Sequence, residues 1–569
     1  MRVEKNKNDM FLSEYPSLSL FCKHSLGTFL SLLLLSACSP DNDALPGDDG
    51  DNTPLAALRI EVSASDFTND NGTNTRAADN GGATTFENGD RIGIIVLDNS
   101  GNVLSDNIPY KYNDNAWSFD NSNDEGKTAV YYDNKAGTLT YLAYFPYSVE
   151  ANGVTSLDNL KVKFPPQPDQ RTKDAYRASD LLVWSSETGS APLKILNIEF
   201  THAYSSLSLS LSIECQIDRA ETSYTTSSVD DVSFTIGTEP LLAYRADDGS
   251  CRIIVSPQTT DARWFCSYQA KTYGGTMSST ALAANSRYTL APVLNIGAYT
   301  FDKARVGDFY CKSSDGSTGY LIPGDIASLT TEQQAACIGI VYSTDPDRIG
   351  ARATQALNEK GVSTPHGLVM ALTNASDGCR WGDYGKDENS GGNDGEPFKA
   401  NTDQLKKQYE NVDGYGETHW IIEKYESNGT TLKDTYTAFY HANFYGTAES
   451  STEKYAAPTN TTGWFIPGMG QWWDILSNLG KIDLTGKQGD TGGSTSISGA
   501  APTAVANINK YLQKISHATI LSTSTFFWSS SEGSGDYACV VFFYSSGYLA
   551  LNDYSKDSSN RRLRCSFAF

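Results

Sequence analysis

The chain has 569 residues, with 67 acidic against 44 basic side chains and a net charge of −23 at pH 7. Such an acidic surface repels nucleic acid and anionic membranes, and no stretch of the sequence indicates a basic groove. This leaves neutral or cationic partners, such as sugars, protein surfaces and calcium. Aromatic residues make up 11%, including 32 Tyr, and the abundant Gly, Ser, Thr and Asn favour strands joined by turns.

The first predicted element is a processing signal. An apolar core over residues 25–35 (SLGTFLSLLLL) ends in Leu35-Ser36-Ala37-Cys38, and it is shorter than the ~20 residues of a membrane-spanning helix. This segment resembles the bacterial lipobox. The resemblance implies that residues 1–37 are a lipoprotein signal peptide and that the Cys38 thiolate accepts a diacylglycerol, which anchors the chain to the outer membrane. An ordinary signal peptide with a chance cysteine is the alternative.

Residues 38–54 form the next segment, an Asp-rich stretch with Gly and Pro (SPDNDALPGDDGDNT after the cysteine). So few apolar residues cannot bury a core, which predicts an acidic disordered tether. The run also resembles the surface-export signal of Bacteroidetes lipoproteins, and a plain periplasmic tether is the alternative.

The cysteines predict no metal site. Cys22 belongs to the signal peptide and Cys38 carries lipid, so eight remain: Cys215, Cys251, Cys266, Cys311, Cys337, Cys379, Cys539 and Cys565. No CxxC pair occurs and the chain has six His, which argues against zinc. An even number of cysteines in an exported protein permits disulfides, and free buried thiols are the alternative.

From residue 55 to 298 the pattern is that of strands and turns. LRIEVSA (58–64) alternates, and TTFENGDRIGIIVLD (84–98) reads as a turn followed by an apolar strand. No helical periodicity extends over ten residues. The pattern predicts two stacked β-domains, at 55–175 and 176–298.

Several short motifs in this half carry a family resemblance. They are FENGDRIG (86–93), YLAYFPY (141–147), Asp169-Gln170, SDLL (179–182), and FTH (200–202) followed by SSLSLSL. Together and in this order they resemble the fimbrillin family of Bacteroidetes over residues 55–298. The resemblance implies two tandem fimbrillin-type β-sandwich domains. We expect His202 and Trp184 to have core roles rather than catalytic ones.

The resemblance also implies a mechanism of assembly. In polymerising fimbrillins an N-terminal strand is cut off after an Arg, and a donor strand from a neighbouring subunit fills the groove that is left. The candidate strand here is Leu58–Ala64, and Arg76 in the polar stretch that follows is the candidate cut site. Arg59 lies within the strand and is less suitable. The alternative is that this strand stays in place in a stand-alone lipoprotein.

Residues 306–569 have a different, α+β character. VGDFYCKSSDGSTGYL (306–321) predicts two strands and a turn, and Leu329–Thr331 is predicted to cap a helix that continues through EQQAACIGI (332–340). Two further helices are predicted at 463–480 and 501–515, followed by several short antiparallel strands.

The end of the chain carries a second resemblance. GWFIPGMGQWWDIL (463–476), FWSSSE (527–532), DYACVVFF (536–543) and NRRLRCSFAF (560–569) resemble a C-type-lectin-like module. The resemblance implies that the first and last strands, VGDFYC and RLRCSFAF, pair with each other, and residues 377–457 look like an insertion. The cysteine pair or copper site of formylglycine-generating enzymes, which share this architecture, is not evident. Neither are the calcium–sugar tripeptides of animal lectins, and we predict that the chain is not an enzyme.

Two patches are predicted to bind a ligand, because sugars are recognised by an aromatic face together with amides and carboxylates. The first is a Gly-rich loop containing Trp381, Asp383, Tyr384, Asp387, Glu388, Asn389, Asn393, Asp394 and Glu396. The second comprises Tyr548, Asn552, Asp553 and Tyr554. The carboxylates of the loop are also suited to calcium, without EF-hand spacing, and a solvated mobile loop is the alternative. No other cofactor is predicted. Trp464, Trp472, Trp473 and Trp528 are predicted to lie in the core.

The order of these parts predicts a function. A module after the fimbrillin-like half occupies the end from which a pilin donates its strand, so the chain would accept a strand without donating one. We therefore predict a cell-surface adhesion protein, the tip subunit of a fimbrillin-type pilus, which binds other pilins and an extracellular glycan or protein. It would stay on the outer membrane through Cys38 or be released by cleavage at Arg76. A non-polymerising surface lipoprotein is the alternative, and an enzyme on the formylglycine-generating fold is a third reading.

Overall fold

The structure is a computed structural model, and it describes residues 57–69, 85–122, 126–226, 229–257, 261–277, 281–388, 397–398, 407–426, 429–487 and 495–569. The predictions of a signal peptide, of lipid at Cys38, of an acidic tether and of a cut at Arg76 concern residues outside this set. Strands outnumber helices throughout, so the prediction of a mostly β protein is confirmed. Within the described residues, no helix is long and apolar enough to cross a membrane.

The N-terminal half begins with a seven-stranded sheet. Its strands are β1 Arg59–Ala64, β3 Arg91–Asp98, β4 Val103–Asn113, β5 Ala116–Phe119, β6 Leu139–Phe145, β7 Leu182–Ser185 and β8 Ile195–His202. Their order is β1-β8-β7-β6-β3-β4-β5, and β1 runs parallel to β8. Two short helices, α1 Leu157–Lys163 and α2 Lys173–Ser179, lie between β6 and β7 along the chain. The central strand β3 has six consecutive buried residues, whereas β8 alternates between buried and exposed residues.

Three further sheets follow in this half. The five-stranded sheet, ordered β14-β15-β9-β18-β2, consists of β2 Thr68–Asn69, β9 Ser205–Leu209, β14 Tyr244–Arg245, β15 Cys251–Val255 and β18 Ser286–Leu290. The three-stranded sheet, ordered β11-β10-β19, consists of β10 Ser212–Ile217, β11 Ala220–Thr225 and β19 Val293–Ala298. The four-stranded sheet, ordered β13-β12-β16-β17, consists of β12 Asp230–Ile236, β13 Glu239–Leu242, β16 Ala262–Tyr268 and β17 Lys271–Met277.

The C-terminal half contains two sheets. The first, ordered β21-β20-β22-β23-β30, consists of β20 Phe309–Lys312, β21 Gly319–Ile322, β22 Cys337–Ser343, β23 Leu368–Ala371 and β30 Ser566–Ala568. The second, ordered β24-β29-β26-β27-β28-β25, consists of β24 Ser376–Cys379, β25 Thr495–Ile497, β26 Thr525–Glu532, β27 Tyr537–Phe543, β28 Leu549–Ser555 and β29 Arg561–Leu563.

Helices accompany both sheets of the C-terminal half. They are α3 Thr331–Ala336, α4 Ala351–Glu359, α5 Gly414–Glu426, α6 Gly429–Asp434, α7 Thr437–Phe444, α8 Met469–Asp474 and α9 Ala500–Leu512. Helix α8 continues as a π-helical turn, Ile475–Leu479, before Gly480. The predicted helices at 463–480 and 501–515 are thus present, with boundaries that differ by several residues. The segment 377–457, predicted to be an insertion, contains α5, α6 and α7.

Two sequence predictions about this half were wrong. The first strand, β20, pairs with β21 and β22, whereas the last strand, β30, pairs with β23, so β22 and β23 separate the first strand from the last. The helix predicted through residue 340 ends at Ala336, although its predicted start is correct, with a capping box between Thr330 and Gln333. Both errors have the same cause. Residues 337–343 (CIGIVYS) are fully buried, and a short apolar run of this kind pairs favourably in the middle of a sheet.

The core confirms the placement predicted for the tryptophans. Trp464, Trp472, Trp473 and Trp528 are all buried. The eight described cysteines are buried free thiols. One continuous cluster of buried apolar residues extends from Leu207 to Phe569, and two smaller clusters line the faces of the seven-stranded sheet.

Candidate functional site

The first candidate site is the edge of the seven-stranded sheet, where β1 lies beside β8. Six residues of β1, Arg59–Ala64, pair in parallel with Ile195–Phe200. The alternation predicted from the sequence places Leu58 and Ile60 in the core, at 6% and 7% exposure, while Arg59 and Glu61 form a solvent-exposed ion pair. Burial of each large apolar side chain contributes about 1.5–3 kcal/mol, so this strand is firmly seated.

The segment that contains β1 continues into a second sheet. After β1, Phe67 is buried, and its ring stacks on His202 with centroids 3.5 Å apart. Thr68 and Asn69 then run parallel to β18 in the five-stranded sheet. Residues 57–69 therefore lie at the edge of two sheets in succession.

His202 has a structural role, as the sequence predicted. Its Nδ1 lies 2.7 Å from an Asp180 carboxylate oxygen, and its Nε2 lies 3.2 Å from the carbonyl oxygen of Ser65. These contacts hold the end of β8 against the segment that follows β1. With both nitrogens engaged and 2% of the residue exposed, the ring is not available to a substrate.

The second candidate site is the loop that begins at Trp381, and its predicted ligand residues have different surroundings. Trp381 is completely buried, and its Nε1 donates to the Ser529 carbonyl oxygen at 3.0 Å. Its ring therefore offers no face to a sugar, which corrects the prediction. Asp383, Tyr384 and Asp387 are exposed. The predicted residues Asn389, Asn393, Asp394 and Glu396 lie outside the described residues.

Glu388 is also buried, so the prediction that it contacts a ligand does not fit its position. Its carboxylate accepts hydrogen bonds from Lys424 at 2.6 Å, from Tyr425 at 2.7 Å and from the Tyr436 hydroxyl. Burial by itself would raise the pKa of Glu388, but these three donors lower that pKa below its ordinary value. The side chain is an internal anchor for the loop.

A buried ion pair, unnoticed in the sequence, holds both ends of the described loop. Lys556 and Glu532 are each fully buried and bonded to each other. The Lys556 carbonyl oxygen accepts from the Trp381 backbone N–H at 2.9 Å, and Glu532 accepts from the Glu388 backbone N–H at 2.8 Å. Burial raises the pKa of Glu532 to about 7 against the opposing effect of Lys556. The signal in the sequence was the FWSSSE motif, which ends in this glutamate.

The third candidate site is the patch around β28, which strand geometry divides between two faces. Tyr548 and Tyr554 are exposed, and Tyr548 and Asn552 line an open cavity of ≈ 310 Å³. Alternation along the strand places Asp553 on the opposite face from Asn552 and Tyr554. There Asp553 lies beside Gly533, and burial raises its pKa. The predicted patch is thus reduced to two residues of one cavity and a neighbouring tyrosine.

Within the described part of the chain, no group of three or more His, Cys, Asp or Glu side chains is arranged to hold a metal ion. The loop beginning at Trp381 contributes two exposed carboxylates to this part, Asp383 and Asp387.

Comparisons with known proteins give a consistent picture. Residues 75–304, about two-fifths of the chain, match the family model described as Fimbrillin-like. A protein of Bacteroides ovatus named "Putative fimbrium tip subunit Fim1C" is 23% identical over 557 residues, covering 90% of this chain and 93% of that protein.

Solved structures with a detectable likeness are fimbrial and adhesion proteins. A fimbrial protein from Bacteroides ovatus is 18% identical, with a TM-score of 0.36, over 91% of this chain and 100% of that one. A "putative cell adhesion protein" from Bacteroides uniformis is 18% identical, with a TM-score of 0.30, over 42% of this chain and 94% of that one.

Proposed function

We propose that this chain is the tip subunit of a fimbrillin-type pilus, which accepts a strand from the next subunit and presents its C-terminal half for adhesion. The observation that carries the proposal is the contrast between the two sides of the fimbrillin-like segment. Before it lies β1, an edge strand that precedes Arg76. After it, the chain is folded into two further sheets. The similarity over 90% of this chain to a protein named as a fimbrium tip subunit supports the same reading.

The accepting side depends on the edge of β8. Removal of β1 would leave the backbone of β8 without its parallel partner and would expose Leu196, Ile198 and Phe200, which are now buried. An incoming strand with apolar residues at every second position restores both the backbone hydrogen bonds and the core. Leu58 and Ile60 occupy this position before cleavage.

The absence of a donor strand follows from the fold after β19. Residues from Phe309 onward enter β20 and β21, where Phe309, Tyr310 and Cys311 are completely buried. A segment in this position cannot leave to complete a neighbouring subunit without unfolding the C-terminal half. The chain is therefore suited to end a polymer.

The proposal includes a role for processing. Lipid at Cys38 would carry the chain to the outer membrane, and cleavage at Arg76 would separate the fimbrillin-like body from that lipid. The protein would then remain at the cell surface through its contact with other pilin subunits. The C-terminal half would bind an extracellular glycan or protein.

A second candidate function is a stand-alone surface lipoprotein that keeps β1. The seating of residues 57–69 favours it, because the Leu58 N–H donates to the Val130 carbonyl oxygen at 2.9 Å and Phe67 stacks on His202. These contacts oppose departure of the strand. The two candidates differ in what happens after cleavage.

Cleavage with an arginine-specific protease tests the proposal. We expect a single early cut at Arg76, after which the shortened protein binds a synthetic peptide of residues 57–69, because the peptide refills the edge of β8. Native mass spectrometry measures both the loss of the strand and the stoichiometry of the peptide. A peptide of the C-terminal strand of a fimbrillin should bind at the same edge.

The matched controls are Arg76→Ala, which should prevent cleavage and peptide binding, and Arg59→Ala, which should affect neither. If the cut protein keeps residues 57–69 and takes up no added peptide, the tip subunit function is wrong and the stand-alone lipoprotein is favoured.

A further inference from the structure

The cavity beside β28 is formed by two strands and the tip of a hairpin. Tyr544, Ser546 and Tyr548 come from the turn between β27 and β28, and Asn552 comes from β28 itself. Across the cavity lies Ser496 of β25, which pairs with Ala550. The walls therefore come from parts of the chain about 50 residues apart.

The hairpin tip is held in place. The Tyr544 backbone N–H donates to the Tyr548 carbonyl oxygen at 2.9 Å, and the Gly547 carbonyl oxygen accepts from the Ala501 N–H at the start of α9 at 3.1 Å. Gly547 has a φ of 93°, a conformation that other residues rarely adopt. The turn is thus attached at its base and at its tip, so its two tyrosines have a defined separation.

An aromatic cluster supports one wall of the cavity. The Tyr544 ring stacks on Phe542, with centroids 5.4 Å apart and planes 4° apart, and meets Phe526 edge-on at 5.8 Å. The Arg561 guanidinium lies over Tyr554 at 3.9 Å and over Phe526 at 4.9 Å. Tyr544 is consequently fixed on one side while 38% of it remains exposed. Such a ring can pack against the apolar face of a ligand at little cost in conformational entropy.

Polar groups in the cavity are available to a ligand. The side chains of Ser496, Ser546, Tyr548 and Asn552 form no hydrogen bond with any residue in the part of the chain that the structure describes. They offer three hydroxyls and one amide, each able to donate and to accept. None of the described residues that line the cavity is charged, although the whole chain carries a net charge of −23.

We propose that this cavity binds one residue of a neutral saccharide, stacked on Tyr544 or Tyr548 and hydrogen-bonded by Asn552 and the serine hydroxyls. The inference rests on the proposed adhesive function and gives it a ligand class and a site. A sugar ring has an apolar face and a rim of hydroxyls, and this cavity provides a partner for each. Its volume of ≈ 310 Å³ is at the lower end of the ~300–1,000 Å³ of small-ligand sites.

The same features argue against other ligands. An anionic sugar would bring a negative charge to an acidic protein, without a cation in the cavity wall to pair with it. Calcium takes six to eight oxygen ligands, commonly carboxylates, and the described cavity wall has none. The predicted patch residue Asp553 is on the other face of β28.

The test uses the full chain on an array of neutral, sialylated and sulfated glycans, followed by calorimetry with the neutral glycan that binds most strongly. We expect binding to neutral glycans that persists in EDTA. Tyr548→Ala and Asn552→Ala should each weaken it at least tenfold, and Ser496→Trp should abolish it by filling the cavity. All three positions are exposed or partly exposed, so thermal unfolding should be unchanged.

The matched control is Tyr384→Ala, which removes a tyrosine that is 52% exposed on the other predicted loop and should leave binding intact. The inference is overturned if the full chain binds charged glycans alone, if it binds a protein and no glycan, or if the three cavity variants bind as the wild type does. The strand-peptide experiment separates the two proposals. Peptide binding without glycan binding removes this inference and leaves the tip subunit standing, whereas glycan binding without peptide binding does the opposite.

Discussion

A single buried ion pair determines where the loop after Trp381 begins and ends. Lys556 and Glu532 are both fully buried, and each also bonds to the loop. The Lys556 ammonium lies 4.8 Å from the centre of the Trp381 ring. Removing one partner of such a pair leaves a charge in the core without compensation, while removing both is far less costly.

We therefore predict that Lys556→Met destabilises the protein by about 3–5 kcal/mol, because Glu532 loses its partner. The double variant Lys556→Met/Glu532→Gln should recover part of that loss, since Gln can still accept from the Glu388 N–H without carrying a charge. Chemical unfolding of the single and double variants measures the difference. Equal stabilities of the single and double variants would contradict the assignment of the cost to an uncompensated charge.

At the scale of elements, β1 has an unusual position, because it is a six-residue strand at the edge of its sheet and yet contributes to the core. Its neighbours in the chain, Phe67 and β2, bind a different sheet. The strand can therefore be weakened separately from the sheet it completes.

We predict that Ile60→Ala loosens β1 without unfolding the remaining strands. Shortening a large buried aliphatic side chain to alanine costs about 2–5 kcal/mol, and at an edge this cost is met by local opening. Hydrogen exchange of the amides in β8 measures it and should become faster, while β3 and β6 stay protected. Glu61→Ala is the control, because Glu61 lies on the exposed face of the same strand. Uniformly faster exchange across the whole sheet would mean that β1 is not a separate unit.

At the scale of the whole molecule, one carboxylate connects the fimbrillin-like part to the C-terminal half. Asp325 follows β21 and accepts hydrogen bonds from Thr226 at 2.6 Å, from Tyr268 at 3.1 Å and from Arg305 at 2.9 Å. Thr226 and Tyr268 precede the junction in the chain, and Asp325 follows it. For a tip subunit, this contact would transmit force from the pilus to the adhesive half.

We predict that Asp325→Ala weakens this junction, because two hydroxyls and a guanidinium lose their acceptor, at a cost of about 1–3 kcal/mol. Limited proteolysis between residues 298 and 306 should become faster, and thermal unfolding should separate into two transitions. Asp302→Ala, at an exposed position within the junction, should behave as the wild type. An unchanged single transition in Asp325→Ala would show that other contacts hold the halves together.

Features that depend on near neighbours in the chain could be predicted from the sequence. The alternation of Leu58 and Ile60 predicted β1, and Thr330 with Gln333 predicted the start of α3. The large apolar side chains of Trp472 and Trp528 predicted their burial. Each of these depends on periodicity, on capping or on the hydrophobicity of one side chain, and these act over a few residues.

Features that depend on distant partners were decided by the tertiary structure alone. Trp381 has the same aromatic ring as a sugar-binding residue, and it is buried because Ser529 and Lys556, more than a hundred residues away, come to lie against it. The order of β20 and β30, the Lys556–Glu532 pair and the cavity beside β28 likewise depend on contacts that no local pattern records. Sequence therefore determined which segments are strands and which residues prefer the core. Packing determined which polar and aromatic residues remain at the surface to meet a ligand.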